Sequence, residues 1–363
     1  MSRYNNSLLW AGKQFVNRLC QDVSYRYDAG FCHPSRIILC MTTRCNLKCP
    51  QCGFWRMKDV PRELDTQEWK NVLTKLRKWL GPHRIQMAGG EVFIRKDMVE
   101  IVGFAAQQDI LPGIVSNGTF FTPEIAQGLV DAGLGYLDIS LDGTKAETHD
   151  YLRGRKGVFE DVMNSVRYFK DAMAKNPESK MSLTIASVIS GRNIDEVLGV
   201  LKFVEQEKLT GVIYNPIGPA CDADKEWYKT SDLWPAQEDL PRLIAVVEEL
   251  IERKRNGAPI LNSDDQLLQM KTYFQNPAGC SDRSRDCHAG QTNFLISSEG
   301  NIHCCFHMTP IGTHNDDFAT VWRSAKARET RKQIKRCPFE CSPGNLLYRR
   351  SLWKEIQRYL TYR

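Results

Sequence analysis

"TRCNLKCPQCGFW", residues 43–55, sets Cys45, Cys49 and Cys52 in the spacing C-x3-C-x2-C. Three thiolates so close together point to metal or redox chemistry. A structural zinc asks for a fourth local ligand, and none stands nearby in the usual spacing. An iron–sulfur cubane normally takes four cysteines. With three, one iron is left open to an exogenous group, so the missing thiolate reads as a vacancy for a cofactor.

The flanking sequence supplies the scaffold. "RIILCMT" (36–42) is strand-like, and "LDTQEWKNVLTKLRKWL" (64–80) follows with helical periodicity. The same alternation continues through "RIQMAGG" and "DMVEIVGFAAQQ", then "LPGIVSNG" and "TPEIAQGLVDA", where Thr122 and Pro123 suit the N-cap and first turn. "GYLDISLDG" precedes "VFEDVMNSVRYFKDAMA", "KMSLTIASVI" precedes "NIDEVLGVLKFVEQE", and "TGVIYNPIG" is a sixth strand. Six β–α repeats imply an α/β fold with a parallel sheet. Right-handed crossovers curl such a sheet toward a partial (βα)6, TIM-like barrel, with an open doubly wound sheet as the alternative.

Barrel chemistry sits at the C-terminal strand ends. That edge carries the three-cysteine loop, then Gly89, Gly90 and Glu91, then Ser116, Asn117 and Gly118. It continues with "SLDG" (Ser140, Leu141, Asp142, Gly143), Ser187, and residues 215–221 from Asn215 to Cys221. Polar residues and glycines collect there, as a cofactor-lined mouth requires.

The chain has 363 residues and 13 cysteines, enough length for one large barrel or two domains. It shows no run of eighteen apolar residues, hence no expected membrane span. The opening "MSRYNNSLLWAGKQF" lacks a signal-peptide core. A cytoplasmic, reducing location is expected, where many cysteines mean metal or redox chemistry rather than disulfides. Cys20, Cys32 and Cys40 read as packed thiols. The net charge of +6 gathers near the end, in "KARETRKQIKR" and "YRRSLWKEIQRYLTYR". That is a solvated helix face, or a dock for an anionic partner.

"CNLKCPQC" followed by "GGE" after the second strand resembles the radical S-adenosylmethionine (radical SAM) superfamily. The resemblance implies that SAM chelates the open iron and is cleaved reductively to a 5′-deoxyadenosyl radical, which abstracts a hydrogen atom from substrate. It implies that Cys45, Cys49 and Cys52 hold the cluster, and that Gly89, Gly90 and Glu91 receive the methionine amino group. Ser140 and Asp142 match an "SxDG" motif whose serine contacts SAM. Arg153, in "HDYLRGR", matches an arginine that pairs with the SAM carboxylate, against the alternative of a surface salt bridge. Ser116, Asn117, Ser187 and Asn215 complete the expected cofactor-binding set. Many members carry an aromatic directly after the third cysteine; here Gly53 stands there and Phe54 is next.

"CHAGQTNFLISSEGNIHCC", from Cys287, reads as a hairpin with its turn at "SEGN". With "RCPFEC" it resembles the auxiliary-cluster extension called Twitch, the shorter relative of SPASM. One auxiliary four-iron cluster is then expected on Cys287, Cys305, Cys337 and Cys341. Strand alternation leaves Cys304 as a substitute for Cys305. Cys280 could replace a later ligand, and zinc is the alternative occupant.

The expected organisation is an N-terminal extension (1–35), the barrel (36–220), a helical linker (221–279), the cluster domain (280–345) and a basic C-terminal helix (346–363). The resemblance implies an oxidoreductase carrying out a two-electron oxidation of a small molecule such as a sugar or cyclitol. A peptide-modifying maturase is an alternative. So is a redox-neutral epimerase with Cys221 as hydrogen donor. A flavodoxin- or ferredoxin-type reductant is the expected protein partner. An iron–sulfur electron carrier or nucleic-acid binder is the non-enzyme reading, which needs neither the GGE register nor a three-ligand site.

Overall fold

The computed structural model describes residues 7–57, 62–219, 226–277, 287–337 and 341. Helix α1 (Ser7–Arg26) precedes six parallel strands: β1 (Arg36–Thr42), β2 (His83–Gly89), β3 (Ile110–Ser116), β4 (Tyr136–Ser140), β5 (Ser182–Ile189) and β6 (Gly211–Pro216). Between them run α2 (Thr66–Leu80), α3 (Met98–Gln107), α4 (Pro123–Asp131), α5 (Ala146–Arg153), α6 (Val158–Lys175) and α7 (Val197–Gln206). The strands pair in chain order, as in the expected partial barrel.

Local chemistry explains the boundaries. Asp65 and Glu68 form a reciprocal capping box at the start of α2, each accepting a backbone N–H at 2.8 Å. Thr122 Oγ1 accepts the Ile125 N–H at 3.3 Å, with Pro123 in the first turn of α4, as the sequence predicts. Helices α1 and α5 were not anticipated. Without a long apolar stripe, α5 lacks the strong periodic signal of its neighbours.

Burial sorts the two faces of the sheet. Tyr214 of β6 faces the helices and donates its hydroxyl to Val197 O of α7 at 2.9 Å. Its neighbours Ile213 and Asn215 are half-buried on the opposite, lumen side. Gly118 reports the same order at β4. A Cβ there would lie 3.0 Å from Val162 of α6 and 3.1 Å from Ile139, so Ile139 faces the helices and Ser140 the lumen.

The last third of the chain is not a detached domain. After α8 (Leu240–Arg255), α9 (Asp264–Gln275) and the short α10 (Ala289–Thr292), β7 (Asn293–Ile296) pairs parallel with β1. β8 (Asn301–His303) and β9 (Gly312–Thr313) extend it antiparallel, giving one nine-stranded sheet. The expected hairpin exists, with its turn at Gly300 (φ +90°), but it grows from the barrel's own sheet. The free edge of β1 accounts for this, because an unpaired strand edge is a template for another strand.

The expected linker caps the other edge. Asn262 accepts the Tyr214 N–H at 2.7 Å and returns Nδ2 to Tyr214 O at 2.8 Å, so one side chain stands in for a neighbouring strand. Helices α11 (Phe318–Arg323) and α12 (Ala325–Lys335) close the C-terminal side. The N-terminal extension packs there too. Tyr25 stacks on His288 with ring centroids 4.1 Å apart, and Asp28 pairs with Lys335 at 2.6 Å. No helix among the described residues is long and apolar enough to cross a membrane.

Candidate active site

Two glycines let the second strand end reach the cysteine loop. A Cβ on Gly90 would lie 2.0 Å from Arg44 O, and one on Gly89 (φ +131°) 2.3 Å from Thr42 O. Backbone bonds use that closeness: Gly90 N–H donates to Thr42 O at 2.9 Å and Glu91 N–H to Arg44 O at 2.8 Å. The glycines therefore serve the approach of backbone to backbone, before any contact with a cofactor.

Glu91 is fully buried and committed. Its carboxylate accepts from Phe93 N (3.1 Å), Ser116 Oγ (3.0 Å) and Asn117 N (2.8 Å). Burial pushes its pKa up to about 7 despite those three donors. It ties the end of β2 to the end of β3. Oε1 takes two of these bonds and Oε2 one, so one acceptor position on the carboxylate is left over. Asn117 links this tie to the loop, donating Nδ2 to Asn46 Oδ1 at 2.9 Å with Cys45 Sγ at 3.9 Å.

The loop is braced from the other side by α5. The left-handed Gly154 (φ +66°) lets the helix end press on the loop, where a Cβ would stand 2.3 Å from Lys48 O. The Cys49 thiol points to Arg153 O at 3.6 Å. Arg153 is buried and its guanidinium pairs with Asp142 at 2.7 Å, so it is not a surface salt bridge. Burial opposes its charge, yet Asp142 first, then the thiols of Cys49 and Cys52, hold its pKa above the ordinary value. Its Nε is buried without a hydrogen-bond partner.

Asp142 is held from every side. Oδ1 accepts Val188 N–H at 2.8 Å, its carbonyl accepts Asn193 Nδ2 at 2.5 Å, and its own N–H donates to His149 Nδ1 at 3.1 Å. His149 and Arg153 lie four residues apart on one face of α5, so both reach the end of β4. Sequence reasoning missed His149, Asn193 and Trp55, whose Nε1 donates to Cys49 O at 2.9 Å. The i, i+4 spacing of His149 and Arg153 was the available signal.

Other expected residues divide. Ser140 and Asn215 stand half-buried on the lumen side. Phe54 lines a cavity of about 230 Å³ beside Cys45 and Asn46. Ser187 is a correction. Its register partner is Tyr214, so it stands on the helix side of the sheet, away from the lumen. Cys221 and Cys280 lie outside the described residues.

The four C-terminal thiols lie near enough to feel one another's charge. Cys341 feels the charges of Cys305, Cys287 and Cys337, and burial with that crowding pushes its pKa up to about 12. Cys305 rises to about 11, by burial and then by Cys287 and Cys337. Both Cys304 and Cys305 lie beyond the end of β8, so strand alternation does not govern them. Cys304 is fully buried toward Arg331 and Cys32 instead.

With their pKa values raised, Cys287, Cys305 and Cys341 become thiolates together only if a cation offsets their charge, which fits a metal cluster. Among the described residues no three His, Cys, Asp or Glu gather as a single ion requires. A four-iron cluster is larger than one ion and spaces its thiolates wider. At the first site, the buried Nε of Arg153 near the thiols of Cys49 and Cys52 likewise fits a cluster with an anionic ligand.

The family model of the radical SAM superfamily matches residues 39–204. The chain belongs to that superfamily. A second family model, the SPASM iron–sulfur cluster-binding domain, matches residues 287–342. The barrel region accordingly binds SAM and a four-iron cluster, and the C-terminal region binds auxiliary iron–sulfur clusters.

Mycofactocin maturase MftC of Mycolicibacterium smegmatis is 30% identical over 336 residues, 88% of this chain and 77% of that protein. Fe-coproporphyrin III synthase of Methanosarcina barkeri is 28% identical over 297 residues, 78% and 72% of the two chains. PqqA peptide cyclase of Rhodopseudomonas palustris is 25% identical over 315 residues, 81% and 74%. The crystal structure of Streptococcus suis SuiB bound to S-adenosylmethionine shares the fold, with a TM-score of 0.65 at 15% identity over 88% of this chain and 77% of that one.

Proposed function

We propose that this chain is a radical SAM enzyme that oxidises a peptide by two electrons, using one auxiliary cluster on Cys287, Cys305, Cys337 and Cys341. The match of residues 287–342, which hold all four cysteines, to an iron–sulfur cluster-binding domain supports the reading. Relatives named for peptide and maturase chemistry support the substrate class. The sugar or cyclitol expected from the sequence finds no support among these curated relatives.

Cys45, Cys49 and Cys52 would hold the cluster, which with SAM would supply a radical able to take one hydrogen atom from substrate. Arg153 has one edge of its guanidinium on Asp142 and a buried Nε–H still to give, so it offers a donor to a carboxylate. Asp142 holds that guanidinium in place, and His149 and Asn193 hold Asp142. Ser140 and Asn215 present polar groups to the lumen. Cys287, Cys305, Cys337 and Cys341 would hold a cluster able to take up the second electron of such an oxidation.

Anaerobic protein with SAM and dithionite tests this. Release of 5′-deoxyadenosine should rise when a peptide encoded beside the gene is added, and that peptide should lose two hydrogens. Release without any change of peptide mass would sink the oxidation. A second reading rests on the Fe-coproporphyrin III synthase relative. Adding iron coproporphyrin and seeing turnover of its side chains would favour it over the peptide.

A further inference from the structure

Helix α12 carries its charge on one side. Ala327, Thr330, Arg331 and Ile334 are buried, while Arg323, Lys326, Arg328, Lys332 and Arg336 are exposed on and beside the helix. Glu329 lies 3.5 Å from Lys332 and offsets part of this charge. Arg323, Arg328 and Lys332 also line an open cavity of about 450 Å³. The helix runs directly to the cluster residues, for Cys337 N–H donates to Ile334 O in its last turn at 3.2 Å.

We infer that the exposed face of α12 is the docking surface for an acidic one-electron carrier protein that exchanges electrons with the C-terminal cluster. The inference rests on the function proposed above, in which SAM cleavage consumes one electron and oxidation of the substrate radical returns one. Two exchanges use the dock: the reduced carrier gives one electron to the C-terminal cluster for SAM cleavage, and the oxidised carrier takes back the one that the substrate radical leaves there; no bond forms or breaks.

Charge complementarity selects the partner. A patch of exposed cations steers an acidic protein and orients it, with an effect that falls as salt rises. A nucleic acid would meet the same cations. It would also meet Glu329 in the cavity wall, and it has no electron to exchange with the site where the helix ends.

The test uses the reconstituted full chain and a reduced flavodoxin as probe, reading 5′-deoxyadenosine. For R323E/R328E/K332E, the KM for flavodoxin should rise roughly tenfold or more at low salt. The dithionite-driven rate should stay at the wild-type value. An unchanged flavodoxin KM overturns the inference, as does a loss confined to binding of a DNA duplex. If the triple variant also loses its dithionite-driven rate, it is misfolded and R328Q decides. Its dithionite rate should hold while its flavodoxin KM rises, and an unmoved KM refutes the dock. Wild-type protein that cleaves no SAM with dithionite would instead sink the enzyme reading itself.

Discussion

Cys45, Cys49 and Cys52 come from one loop, whereas Cys287, Cys305, Cys337 and Cys341 come from stretches spread between 287 and 341. The first group is braced by the fold before any metal arrives. Gly90 and Gly154 bring two strand and helix ends against its backbone, and Asn117 and Trp55 reach it from the sides. The second group has mainly local support. Cys287 accepts from the Ala289 N–H, and Cys337 hangs from the last turn of α12. Burial and the neighbouring thiols push the pKa values of Cys287, Cys305 and Cys341 up, so these thiols resist ionisation until a cluster compensates them. On the function proposed above, one site is a scaffolded seat with an open position, and the other a cage completed by its occupant.

The strongest way to break this contrast is to remove the first site. Replacing Cys45, Cys49 and Cys52 by alanine should take away about four irons per chain and all SAM cleavage. About four irons should remain on the C-terminal site after anaerobic reconstitution. Iron analysis and deoxyadenosine release check both halves. Loss of all iron would mean that the two sites are not independent.

A smaller effect should fall on the brace. Asp142→Ala leaves the buried Arg153 guanidinium without its carboxylate, and breaking such a pair costs about 3–5 kcal/mol. Thermal unfolding should move down, and the KM for SAM should rise, while the iron held by the C-terminal cysteines is unchanged. Equal iron loss from both sites would erase the distinction drawn between them.

The same contrast governs what was legible in the sequence. The three-cysteine loop, the order of six strands and the Thr122 cap are local signals, and each reads from a short window. The GGE motif was legible as a motif but not in its work. Glu91 ties β2 to β3 through Ser116 and Asn117, which only the packed strand ends reveal. Ser187 misled because a strand-end position does not state which face a side chain takes; its pairing with Tyr214 does. That β7 would join the edge of β1 depends on a free edge some 250 residues away in sequence, which no window contains. His149 escaped for a similar reason, since its target is a backbone N–H on another element.

His149 offers the finest test of the braced site. Burial first, and then the charge of Arg153, hold its pKa down to about 2 against an ordinary 6.5. Below pH 6.5 the unfolded chain takes a proton on this ring, while the folded chain keeps it neutral until far lower pH. The unfolded state therefore binds more protons in that window, and stability falls as pH falls through it. Between pH 6.5 and about 5 the loss from this one group approaches about 2 kcal/mol. His149→Asn removes the titration and keeps an acceptor, since Oδ1 replaces Nδ1 opposite the Asp142 N–H. Urea unfolding of the reconstituted protein at pH 7 and pH 5 should show a smaller acid loss in this variant, by about that amount. Its SAM affinity at pH 7 should stay near the wild-type value, because Asp142 remains held. An acid loss identical to wild type would show that the ring is already protonated in the fold, and that α5 does not pin Asp142 as the geometry requires.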